Sequence, residues 1–430
     1  MANHDLGILM YESGLDNEAH RELNRIGRAD MLIGIPTHRN AGTLGEVVAA
    51  VVEGIATYFP DRRIVLMNAD GGSSDETVEI IANAPTPLNV VKLLTVYQGQ
   101  TGKGSSIRAI LEAAGRLNVK ACVVFEAQAP GITAEWLPSL AGPVLHGDAA
   151  TFGCYHRSAY SAALNDNLSY PFVRAFFNTD LRDPLAPEFA VSGALAAQLA
   201  SCDVWETNIA RYGVNAWLST FAVIHRHQVS QVDLGYRGEI SGDPGALLDP
   251  RIIHTTMALF RLLSAERSRW ERDDAPPLHV PLKGGHCKDR EVPGPDCEAV
   301  LLASMREGLE RYSDQLSEVL LPERLERVLS LAAASDSEFT FPIPLWAECV
   351  LDMALSYNAG EGDPDRVAEA MLPVFFGRTV SYIRETQGMP PAQRERTVRR
   401  IVKAFMQARI AFDRAWQEHV FWEDVDDRFW

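Results

Sequence analysis

The sequence predicts an α/β fold: a parallel sheet with helices on both faces, followed by an α-helical C-terminal domain. Three observations carry this. Four short apolar runs before residue 126 alternate with amphipathic stretches. Each run stops at a cluster of polar and glycine residues. From Ala299 onward apolar residues recur at spacings of three and four, with almost no strand signal.

Taken in order, residues 1–28 form a lead-in with one short helix around HRELNRIGRA. Met31–Ile35 is the first strand, and Gly42–Tyr58 the first long helix, with Leu44, Val47, Val48, Val51 and Ile55 on one face. Arg63–Met67 is the second strand, leading through a polar loop to a helix ending at Ala82. Asn89–Tyr97 is the third strand and Ser105–Leu117 the next helix. Ala121–Phe125 is the fourth. Apolar strands this short, joined by helices, belong in a parallel sheet covered on both faces. Further on, Ala149–Cys154 and Gln231–Leu234 read as strands, and Tyr170–Phe177, Trp217–Ile224 and Arg251–Trp270 as helices. Residues 271–298 are rich in Pro, Gly and charge, and read as a linker between a 29–270 domain and a 299–430 domain. Helices are expected there at Leu301–Leu321, Pro322–Ala334, Leu345–Tyr357, Asp365–Gln387 and Gln393–Trp422.

Bulk properties exclude several classes. A chain of 430 residues exceeds one ordinary core. No apolar run approaches the roughly 20 residues that span a bilayer. The acidic, polar N-terminus is unlike a signal peptide. Six cysteines, with no C-x-x-C pair, suggest reduced thiols in a cytoplasmic protein. A formal charge of −17 argues against nucleic acid or anionic membrane as partner.

The strand ends carry the chemistry. Ile35–Pro36–Thr37–His38–Arg39–Asn40 follows the first strand, and Asn68–Ala69–Asp70–Gly71–Gly72–Ser73–Ser74–Asp75–Glu76–Thr77 the second. Gly102–Lys103–Gly104 follows the third, and Glu126–Ala127–Gln128 the fourth. Pro184–Leu185–Ala186–Pro187–Glu188–Phe189, Trp205–Asn215 and Phe339–Thr340–Phe341–Pro342 come later. In this order the motifs resemble those of GT-A nucleotide-sugar glycosyltransferases, specifically the mannosylglycerate and glucosylglycerate synthase group, over nearly the whole chain.

The residues themselves suit a nucleotide. An Asp at a strand end, Asp70, can accept from a base ring or ribose hydroxyl. Gly71 and Gly72 permit close backbone approach, and Ser73 is expected to cap the next helix. Arg39 and Lys103 are phosphate or base contacts, with Pro36 and Thr37 beside them; Lys103 precedes a helix N-terminus. By themselves D-G-G-S-S-D and G-K-G are equally at home as a capped loop and a solvated turn.

The resemblance implies a hexose transferred from a UDP- or GDP-sugar, with retention, to a small polar acceptor of the glycerate type. It also implies a metal held by Asp-x-Asp and a later His. Here those positions are Glu126, Gln128 and Glu239. Two readings stay open: an all-oxygen site retuned for Mg²⁺ or Mn²⁺, or a lost metal site. A third has Arg237 replace the ion. Asn215 stands where the group carries Asp; with Glu188 it is assigned to the reaction centre, and it cannot take a proton. Arg157 and Tyr170 complete the acceptor side, Arg157 as a carboxylate clamp. The altered motif also fits a pseudo-glycosyltransferase that binds nucleotide as a regulatory partner.

Remaining candidates are minor. His225 and His227, and the linker residues His279 and His286, lack metal-site spacing. Cys154 and His156 lack a third member for a nucleophilic triad. Trp416, Phe421, Trp422, Phe429 and Trp430 suggest packing on a neighbour, and hence a homo-oligomer.

Overall fold

The computed structural model describes residues 13–238, 245–246, 249–271, 277–284, 293–359 and 363–418. From the N-terminal side the order is α1 (Asn17–Ile26), β1 (Met31–Thr37), α2 (Ala41–Tyr58), β2 (Ile64–Asp70), α3 (Thr77–Asn83), β3 (Val90–Val96), α4 (Lys103–Arg116) and β4 (Ala121–Val124). Then come α5 (Trp136–Leu145), β5 (Ala150–His156), α6 (Ala159–Leu164), a π-helical turn at Asn165–Ser169, α7 (Tyr170–Phe177), β6 (Phe189–Val191) and α8 (Gly193–Ala200). A 3₁₀ turn at Asn208–Ala210 leads to α9 (Val214–Ile224), β7 (Val229–Tyr236), α10 (Pro250–Ala265), α11 (Arg267–Trp270) and β8 (Leu282–Lys283). The rest is helical: α12 (Glu298–Arg311), α13 (Ser313–Val319), α14 (Pro322–Ala332), α15 (Ile343–Asn358), α16 (Pro364–Thr386) and α17 (Pro391–Glu418).

The eight strands form one sheet in the order β3-β2-β1-β4-β6-β5-β7-β8. All neighbours are parallel except β6, which runs against both β4 and β5. Alternation along β1 shows why both faces must be covered. Met31, Ile33 and Ile35 enter one apolar cluster with α2 and α5. Leu32 enters the other, with α1 and α4. That second cluster also includes described residues of the helical region as far as Trp416.

Several expectations shift. Residues Asn68–Asp70 extend β2 beyond Met67, so Asp70 is the last residue of the strand, the strand-end position read for it. The helix α4 starts at Lys103, two residues before Ser105. The helix expected at Leu301–Leu321 is two, broken at Tyr312. The sequence reading missed α5, β6 and α8; β6 has three residues, too few to show a period.

Candidate functional site

The strand order reverses beside β1. From β1 the chain moves outward to β2 and β3, then returns to place β4 on the other side of β1. Open α/β sheets bind ligands in the crevice outside the carboxyl ends at such a switch point. The loops after β1, β2 and β4 and the N-terminus of α4 converge on this edge.

At the β2 end, Asp70 is almost fully buried and fastens the turn that follows. Its Oδ2 accepts from the Ser73 amide at 2.6 Å, and Oδ1 from Ser73 Oγ and Thr37 Oγ1, each at 2.7 Å. Thr37 in turn accepts from Asn68 Nδ2 at 2.7 Å. Thr37 and Pro36 lie buried within β1. Ser73 does not cap α3, which starts only at Thr77. The N-cap position of α3 is Glu76, with no side-chain cap; Asp75 just before it accepts from the Thr77 hydroxyl, which holds its carboxyl below its ordinary value. Ser73 Oγ instead accepts from the Arg39 amide at 2.8 Å. Arg39 has φ +55° and an exposed side chain at the mouth of the crevice. Gly72 has φ +76°, a conformation other residues rarely adopt.

The α4 N-terminus brings three motifs together. The Lys103 ammonium pairs with the Glu126 carboxylate and donates to Asn215 Oδ1 at 2.7 Å. Asn215 Nδ2 donates to the Ala186 carbonyl at 2.6 Å. The flanking glycines have a packing reason. A Cβ on Gly102 would lie 2.4 Å from the Ala210 carbonyl oxygen, and one on Gly104 would lie 1.9 Å from that of Ile209. G-K-G thus presses Lys103 against the 208–211 turn. Phosphate chemistry is not needed to explain these glycines.

For a divalent ion the described donors are Glu126 and the half-buried Gln128. Glu239 lies outside the described residues. Among the described residues no three His, Cys, Asp or Glu side chains converge as a metal site. With the Glu126 carboxylate engaged by an ammonium, these donors do not make a metal centre as they stand.

Glu188 is fully buried. Its Oε2 accepts from the Tyr155 hydroxyl and from Arg237 Nη1, and its Oε1 has no partner. Burial works against the Arg237 charge, yet Glu188 outweighs it and holds the guanidinium firmly protonated. Burial, then Glu188, pushes the Tyr155 phenol well up. Arg237 Nη2 donates to the Gln128 carbonyl at 3.1 Å. Arg237 is therefore a buried tie and not a cation open to a diphosphate. The sequence reading missed Tyr155, whose position one residue before His156 on β5 was the available signal.

Arg157 pairs with Asp183 at 2.8 Å in the wall of a polar cavity. Tyr170 lies under the Arg182 guanidinium, 4.9 Å from it, on the same side. Asn215, the third acceptor candidate, sits at Lys103 instead. Burial pushes the Cys154 thiol well up, and its Sγ lies 3.5 Å from Gln231 Oε1. His225 pairs with Glu266 and His279 with Asp180. Trp416 is buried within its own chain against Trp270, 5.1 Å between rings, so it is not a docking surface. His286 and the other four C-terminal aromatics lie outside the described residues.

No family model matches the chain, and no curated protein matches it. Similar solved structures include glucosyl-3-phosphoglycerate synthase from Mycobacterium tuberculosis in complex with Mn²⁺, UDP and glucosyl-3-phosphoglycerate. That chain is 20% identical with TM-score 0.42, the match covering 62% of this chain and 88% of that one. The same enzyme with Mg²⁺ and UDP matches at 19% identity and TM-score 0.41, over 59% and 84%. A further mycobacterial protein matches at 20% identity and TM-score 0.40, over 59% and 79%. Fold likeness alone does not say which groups react.

Proposed function

We propose that the chain is a nucleotide-sugar hexosyltransferase with a small polar acceptor. The observation that carries this is the meeting of Lys103, Glu126 and Asn215 at the β1/β4 switch point, with the Asp70 turn and Arg39 beside it. In such a reaction the bond from the sugar C1 to the diphosphate oxygen breaks, and its electron pair stays with the diphosphate. The acceptor oxygen bonds to C1, and its proton passes to the departing diphosphate oxygen.

The residues divide these tasks. The loop after β2, fixed by Asp70, and the Arg39 side chain receive base and ribose. The backbone N-terminus of α4 and the Lys103 ammonium face the leaving diphosphate and offset its developing charge. Lys103 turns from Glu126 to phosphate when the nucleotide enters. Asn215 orients a hydroxyl, and Glu188, held by Tyr155 and Arg237, shapes the sugar side. A divalent ion would find Glu126 and Gln128 as its described donors and would first have to separate Glu126 from Lys103; no step here depends on one. Retention and a cytoplasmic setting rest on the sequence reading, which leaves the donor as a UDP- or GDP-sugar. Among the described residues no helix is long and apolar enough to cross a membrane, and no disulfide forms.

A second reading, a nucleotide-binding pseudoenzyme, draws on the same Lys103–Glu126 pair, because it neutralises the carboxylate at the metal position. Incubating the full chain with UDP- and GDP-linked glucose and mannose and an acceptor panel separates them. Acceptor-dependent release of nucleoside diphosphate supports the transferase. Tight nucleotide binding with no turnover on any pair supports the pseudoenzyme.

A further inference from the structure

The chain carries a formal charge of −17, yet the outward face of one helix is basic. The helix α17 packs against α7 and α15 and buries Val398, Ile401, Phe405 and Phe412. On its opposite side Arg396, Arg399, Arg400, Lys403 and Arg414 recur at helical spacing, all exposed. Arg399 lies 3.9 Å from Glu395; the other four form no ion pair among the described residues. The flanking acids are already engaged, Glu395 by Arg182 at 3.1 Å and Asp413 by Arg409 at 3.2 Å. Glu418, at the helix end, is the one exposed acid of α17. Among the cations sit Met406 and Ile410, 48% and 60% exposed.

A second patch has the reverse sign. The helices α12, α13 and α14 touch one another. Glu307, Glu310, Asp314, Glu318, Glu323 and Glu326 stand exposed on them, and none forms an ion pair among the described residues. Most nearby cations are engaged: Arg306 by Asp336, Arg324 by Asp352 and Arg327 by Glu348. Arg311, exposed over the Tyr312 ring, is the exception. Val328 is the one fully buried residue of α14, so this helix rests lightly on its neighbours. It leaves Leu321, at its N-cap, and Leu329 each 48% exposed. Beside Glu326 runs a groove of about 310 Å³, walled by Arg327, Ser330, Leu331, Pro342 and Leu345.

Two acidic chains repel one another except where patches of opposite sign meet. We propose that the basic face of α17 docks on the acidic α12–α14 patch of a second copy. Both halves of the match, each with apolar residues among its charges, are present on the same chain. Met406 and Ile410 lie against Leu329 and the groove between α14 and α15, while the five cations face the acids. Covering those apolar side chains supplies attraction that exposed ion pairs alone do not. The contact joins unlike faces, so it closes by repeating about a two-fold axis or around a ring. The basic face runs about 27 Å along α17 at roughly 1.5 Å per residue. A contact that small and that charged weakens with salt. Nothing in it depends on the transferase reading.

Sedimentation velocity on the full chain, from about 50 to about 500 mM NaCl, reads the association. The parent is expected to associate at low salt and to bind at least about tenfold more weakly at high salt. Arg400→Glu with Lys403→Glu should weaken association at least about tenfold, and so should Glu323→Lys with Glu326→Lys. Mixing the two double variants should restore it, because the acidic patch of the first and the basic face of the second are unchanged. All four positions are exposed, so the reversals leave the packing intact. A parent that stays monomeric at every salt overturns the proposal and leaves the basic face to a different acidic protein. So does association that strengthens with salt, or that neither double variant alters. Loss that mixing does not restore, in variants whose circular dichroism matches the parent, overturns it as well.

Discussion

The Lys103 ammonium lies between the Glu126 carboxylate and Asn215 Oδ1, 2.7 Å from the latter. One cation thus ties together the α4 N-terminus, the loop after β4 and the start of α9. If it turns to the diphosphate, removing it removes a charge-assisted contact of about 2 kcal/mol. Lys103→Met should then weaken nucleoside diphosphate binding roughly thirtyfold. Glu126→Gln should hold or raise affinity, because it releases Lys103. A loss of Mn²⁺-dependent affinity in Glu126→Gln would instead make Glu126 a metal ligand. Titration calorimetry reads both.

Arg237 and Glu188 form a buried pair, 4% and 0% exposed at their side chains. Removing either partner strands the other. Arg237→Met should cost about 3–5 kcal/mol of stability. Adding Glu188→Gln should recover some of it. Urea unfolding of the two variants checks this; equal loss in both would mean that packing, and not the stranded carboxylate, sets the cost.

Asp166 gives the fold a pH dependence. Burial alone would push its carboxyl up, but Arg182 and Tyr382 outweigh burial and hold it below 3.8. A carboxyl lowered by folding stabilises above its unfolded value, and that contribution is lost as pH falls through the lowered one. Asp183 goes the other way: burial raises it against Arg157. Its contribution is present at low pH and fades as pH rises through the raised value. Asp166→Asn should therefore flatten the acid fall in stability below pH 3.8, while Asp183→Asn should remove a slope of opposite sign that lies above pH 3.8. Urea unfolding across the acid range measures both slopes.

The helical region is bolted to the π-turn. Arg378, fully buried, donates to Asn167 Oδ1 at 2.9 Å and to the Phe341 carbonyl at 2.8 Å. Trp346 Nε1 reaches the Asn167 carbonyl at 2.7 Å, and Tyr382 reaches Asp166 at 2.6 Å. Calorimetric unfolding should show one transition, lowered by about 3 kcal/mol in Arg378→Met. Two transitions in the parent would favour separate units divided at 271–298.

How much of this the sequence disclosed follows from what kind of signal each element leaves. The β1–α2–β2 start was legible because Leu44 to Ile55 keep a strict helical period beside short apolar runs. The strand-end position of Asp70 and the helix-start position of Lys103 were legible from punctuation by glycine. The partners were not. That Lys103 meets Glu126 and Asn215 is a contact across 23 and 112 residues, which no local pattern encodes. Arg237 looked like a free cation because its partner, Glu188, comes 49 positions earlier and stands beside β6, a strand of three residues. The cavity at Arg157 draws its far wall from Arg394, 237 positions away.

The most direct test of the account is a calorimetric titration of UDP, GDP and their glucose and mannose conjugates into the full chain, in EDTA and in Mn²⁺. Micromolar binding of one nucleotide, about −8 kcal/mol, is expected to survive EDTA and to weaken in Lys103→Met. Binding of neither nucleotide under either condition would contradict it.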